Sequence, residues 1–145
     1  MRKKPSRKFN PPEGKSPRNE QEPESIISKL ITWHIRTMDK EGLWHWKNIS
    51  LDIFWDKVHK ILSCYEMMTW GEVLNNRNNH FIPVNNLCKK AQQRLQVLKQ
   101  DDIDEVVSFH INGKGRIWGI QDRYIFKILW WDPNHQVCPS HKKHT

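Results

Sequence analysis

The chain has 145 residues, of which 37% are hydrophobic and 28% charged, with eight tryptophans and a formal net charge of +8. That length supports one hydrophobic core rather than two, and the tryptophan count excludes a wholly disordered chain. The positive charge favours an acidic partner, because lysines and arginines that neutralise phosphates release condensed counterions; a solvated basic surface with no specific partner is the plainer alternative.

Residues 1–24 carry Arg2, Lys3, Lys4, Arg7, Lys8, Lys15 and Arg18 among five prolines, with Phe9 as the one large apolar side chain. Such a stretch buries too little surface to offset its ordering entropy. It reads as a disordered basic arm, adding phosphate affinity or serving only as a solubilising extension, ahead of a single α+β domain over 25–145.

The domain opens with Leu30-Ile31-Thr32-Trp33-His34-Ile35-Arg36, whose β-branched and aromatic residues predict a first strand. Leu43-Trp44-His45-Trp46 is an irregular segment whose indoles cap the core. Ser50 then caps a helix with Leu51, Phe54, Trp55, Val58, Leu62 and Tyr65 on one face. Thr69-Trp70-Gly71-Glu72 matches a capping box and predicts a second, short helix. After a polar loop from Asn75 to His80, Pro83 is expected in the first turn of a third helix bearing Val84, Leu87, Cys88, Ala91, Leu95 and Leu98.

The rest alternates as strands do: Val107, Phe109 and Ile111 face one way, Val106, Ser108 and His110 the other. Asn112-Gly113-Lys114-Gly115 predicts a hairpin turn, Arg116 to Ile120 the returning strand, and Tyr124 to Trp131 a third strand stopped by Asp132-Pro133-Asn134. The expected fold is β-α-α-(α)-β-β-β, an antiparallel sheet with helices packed on one face and the other face open.

Cys64, Cys88 and Cys138 are odd in number and lack CxxC spacing, unlike a secreted disulfide framework. No apolar run approaches the roughly 18 residues of a membrane span, and no apolar stretch follows the basic start as in a signal peptide. A cytoplasmic protein without membrane contact is expected.

Thr69–Glu72, Asn79-His80-Phe81-Ile82-Pro83, Arg116-Ile117-Trp118-Gly119-Ile120 and above all the ending Leu129-Trp130-Trp131-Asp132-Pro133-Asn134-His135-Gln136-Val137-Cys138-Pro139-Ser140 resemble a widespread family of small bacterial proteins of unknown activity. The resemblance covers roughly residues 43–145. The order of elements, with basic residues toward the C-terminus, is similar to the RelE/ParE toxin fold. That likeness implies either messenger-RNA cleavage on the ribosome or action on gyrase, and an acidic antitoxin as partner. It transfers to the region and to no single side chain.

Metal-independent RNA cleavage needs a base near the 2′-oxygen, an acid near the leaving 5′-oxygen and a cation on the phosphate. The C-terminal third supplies His135, Arg116, His110 and Tyr124 for those roles, and Lys114, Arg123, Lys142, Lys143 and His144 for phosphate contact. His135 follows the rigid Asp132-Pro133 turn close to Trp130 and Trp131, of which alternation assigns one to the core. Each cation has the competing reading of an ordinary solvated charge. Cys138, His141 and His144 are spaced by three and with His135 offer zinc ligands, but the tail lacks a clear second close pair, so neither metal nor cofactor is expected. The function expected is nucleic-acid binding of RelE-like toxin type, RNA before DNA, with an endoribonuclease as its catalytic form. A non-catalytic module docking RNA, DNA or a protein through its basic, tryptophan-rich surface is the alternative.

Overall fold

In the computed structural model, residues 26–139 are described; the basic arm, Lys142, Lys143 and His144 and the zinc spacing at His141 and His144 lie outside them. The strands are β1 (Thr32–His34), β2 (His80–Pro83), β3 (Glu105–Asn112), β4 (Gly115–Asp122) and β5 (Ile125–Asp132), in one sheet of order β1-β5-β4-β3-β2. The three long strands form the expected meander. At its edges the expectation fails in two ways. β1 runs parallel to β5, which makes the sheet mixed rather than antiparallel, and β2 pairs antiparallel with β3 through His80↔Ser108.

That extra strand displaces the third helix. Pro83 ends β2, where an edge position tolerates its missing N–H, and a 3-10 turn at Val84–Asn86 follows. The helix α3 begins only after Cys88, at Lys89–Val97. Before it lie α1 (51–65) and α2 (Trp70–Leu74). Ser50 caps α1 by accepting from the Ile53 N–H, and Thr69 and Glu72 close the capping box of α2. A π turn at Phe54–Val58 interrupts α1 and shifts its apolar register, so Val58 and Tyr65 are buried while Leu51 and Trp55 face solvent.

Helices cover both faces of the sheet, not one. On the first face Val107, Phe109, Ile117, Phe126 and Ile128 pack against Val58, Tyr65, Trp70 and Val73 from α1 and α2. On the second, Val106, Trp118, Ile120 and Trp130 lie with Leu87, Ala91, Leu95, Trp44 and Val137, which brings α3 onto the face expected to be open. Helix α3 must bury its Ala91–Leu95 stripe, and the first face is already filled.

A bulge in β5 decides which indole goes to which face. Trp118 pairs with Trp130 but Gly119 pairs with Ile128, so Leu129 is the extra residue in β5. Beyond it Trp130 joins the second face and Trp131 the first, and both are core. Gly119 sits where a Cβ would run into the Phe126 ring and the Lys127 carbonyl.

Candidate functional site

The cations of the meander divide between its two ends. Arg123 and Tyr124 form the β4–β5 turn, while the β3–β4 hairpin holds His110, Lys114 and Arg116 at the other end. Eight-residue strands at about 3.3 Å per residue set those ends on the order of 20 Å apart. Tyr124 therefore does not join a common centre with His110 and Arg116, and Arg123 is likewise remote from it, its side chain beside Asp122.

At the hairpin end the strand register does gather residues. His110 lies opposite Arg116, Arg116 opposite Asp132, and His80 opposite Ser108, all turned toward the second face. His110 Nε2 and Arg116 Nη1 converge on one acceptor, the Gly113 carbonyl, at 3.2 and 2.9 Å. A carbonyl only accepts, so His110 carries its hydrogen on Nε2 there. Arg116 Nη1 also donates to the Gly115 carbonyl at 3.1 Å, which fixes the guanidinium along the turn and leaves its other nitrogens for a ligand. Lys114 is exposed in the same turn.

His135 arrives from the loop after β5, and Asp132 holds that loop. The Asp132 carboxylate, fully buried, accepts from the Gln136 N–H at 2.8 Å, the Val137 N–H at 2.9 Å and the Trp118 indole at 3.1 Å. His135 takes a left-handed backbone, φ 57°, a conformation uncommon outside glycine that persists where surrounding bonds over-determine it. Burial, then the nearby Arg116 cation, push the His135 imidazole below its ordinary value of 6.5; His110 and His80 act in the same direction, against Asp132. The net effect favours the neutral ring. Burial also lowers the Arg116 guanidinium somewhat, against the pull of Asp132.

His80 belongs to this corner and was not expected in it. Its neighbour Asn79 is buried and donates to the Tyr65 hydroxyl and the Val73 carbonyl, both at 2.9 Å, while accepting from the His110 N–H at 3.0 Å. One asparagine thus pins the start of β2 to α1, α2 and β3. The sequence signal was present, a histidine closing an asparagine-rich run, but it read as loop because β2 is short and ends in proline.

The corner can bind an anion through Arg116, offer the His135 imidazole near it and supply donors from His110 and His80. Among the described residues no group of three or more His, Cys, Asp or Glu side chains stands where it could hold a metal ion. Nor, among them, is any helix long and apolar enough to cross a membrane. Compared with family models, curated proteins and solved structures, the chain matches none.

Proposed function

We propose that this protein binds RNA, holding a phosphodiester at the corner formed by His80, His110, Arg116 and His135, and that it is a metal-independent endoribonuclease of RelE-like toxin type. The observation that supports this reading is the convergence of His110 and Arg116 on the Gly113 carbonyl beside the partly buried His135. Arg116 serves as the phosphate clamp, since a guanidinium matches two phosphate oxygens at once. His135 acts as the base on the 2′-hydroxyl, and His110 is the acid for the leaving 5′-oxygen. The net positive charge of the chain draws RNA in, and an acidic antitoxin would compete for the same cations.

The test is incubation of the full chain with RNA in a chelator, and separately with RNA on ribosomes in magnesium, with fragment ends analysed. Cleavage leaving 2′,3′-cyclic phosphates is expected from the wild type and its loss from His135→Ala and Arg116→Ala. Intact RNA under all of these conditions removes the enzyme reading.

One observation favours the non-catalytic alternative. His110 Nε2 and Arg116 Nη1 are already held by backbone carbonyls, as suits a rigid anion grip more than a proton relay. Under that reading RNA binds, affinity falls steeply with salt, and no RNA is cut.

A further inference from the structure

On the same face, away from the hairpin corner, loop 36–41, the end of α3 and β5 enclose a depression of about 550 Å³. We propose that it is a second binding site, for an organic phosphate of mononucleotide size. This goes beyond the hairpin-corner reading and does not rest on it.

The volume falls in the range of small-ligand sites, which pair an apolar floor with a few placed polar groups. Met38, Leu98 and Leu129 supply apolar lining. The charge is cationic for a structural reason. Asp39, buried at the base, is consumed: Arg94 Nε and Nη2 donate to its two oxygens at 2.9 and 2.7 Å, and the Trp130 indole donates at 2.9 Å. With that pair neutralised, Arg36, Lys40 and Lys127 face Glu41 as the one remaining carboxylate of the lining. Lys127 has a further carboxylate within reach, Asp122 at 3.5 Å, but the pair is half-exposed and weak. His34, the register partner of Lys127, adds a further donor. A phosphate meets Arg36, Lys40 and Lys127 there, while Arg94 stays committed to Asp39.

The two corners have separate reporters, since Trp130 Nε1 bonds Asp39 beside the depression and Trp118 Nε1 bonds Asp132 beside the hairpin corner. The experiment titrates the full-length chain with AMP, GMP, inorganic phosphate and adenosine, following the indole N–H resonances by NMR. Nucleotide is expected to shift Trp130 and leave Trp118 in place, with adenosine at least about tenfold weaker than AMP for want of charge-assisted bonds. The pair of substitutions Arg36→Gln and Lys127→Gln should weaken AMP to a similar degree, whereas Arg116→Ala should not. Binding of adenosine equal to AMP, movement of Trp118 alone, or no shift at millimolar nucleotide in the wild type overturns the proposal. Failure of RNA to bind at the hairpin corner leaves these readouts unchanged, so the two readings fall separately.

Discussion

Two buried aspartates organise the second face of the sheet, and each accepts an indole N–H from one member of the cross-strand pair Trp118–Trp130. Their environments differ. Asp39 is 3% exposed and is neutralised by a bidentate arginine from α3, so its work is to lock a helix to the sheet. Asp132 is 0% exposed and binds mostly backbone N–H groups, so its work is to shape a loop, and the cation near it, Arg116, stays turned to the hairpin. A carboxylate satisfied by a side-chain cation makes a structural joint. One satisfied by backbone leaves the neighbouring cation available to a ligand.

The largest stability loss should come from Asp39→Ala, which strands the Arg94 guanidinium and the Trp130 indole. Breaking a buried pair of this kind costs about 3 kcal/mol or more, read as a lower urea midpoint. Asp132→Ala should cost less, roughly 1–3 kcal/mol for its orphaned donors, yet disturb the hairpin corner more. Amide resonances of Gln136 and Val137 should lose their dispersion in Asp132→Ala and keep it in Asp39→Ala. Equal spread in both variants would erase the contrast.

The two corners should also part in their response to pH. Burial alone would raise the Asp39 carboxyl, but the Arg94, Glu41 and Trp130 hydrogen bonds and the Arg94 charge hold it below 3.8. Its contribution is present above the unfolded value and is lost as pH falls through the lower folded one. The His135 imidazole is lowered too, so the sign is the same and only the pH window differs. The unfolded chain takes the proton first, so the fold loses stability as pH drops from about 6.5 toward the folded value and gains nothing above it. Replacement by glutamine, His135→Gln, should flatten that part of a stability-versus-pH curve while leaving acid unfolding below about pH 4 in place. The smallest effects belong to the far end of the sheet. Arg123→Ala and Tyr124→Phe should move stability by less than about 0.5 kcal/mol, since both side chains are exposed in a turn, and should leave RNA binding unchanged.

Local signals carried much of this. The capping box at Thr69–Glu72, the Ser50 cap, the Gly113-Lys114 turn and the alternation of Val107, Phe109 and Ile111 are properties of a few neighbouring residues, and they gave the elements directly. The His110–Arg116 pairing followed from the same hairpin register. What depends on distant partners was not legible. The four residues of β2 become a strand only because β3 offers an edge, and α3 crosses to the second face because α1 and α2 occupy the first. Tyr124 stood among the candidates with Arg116, but the length of β4 separates them. His80 entered the corner through Asn79, whose three hydrogen bonds join segments far apart in the chain.

Salt dependence of binding to a short single-stranded RNA, compared between wild type and Arg116→Ala, bears most directly on the hairpin corner as a phosphate grip. Loss of one phosphate contact should weaken binding across sequences and reduce the slope of log affinity against log salt by about 1. Should Arg116→Ala bind RNA with the wild-type affinity and slope, the hairpin corner does not hold a phosphodiester.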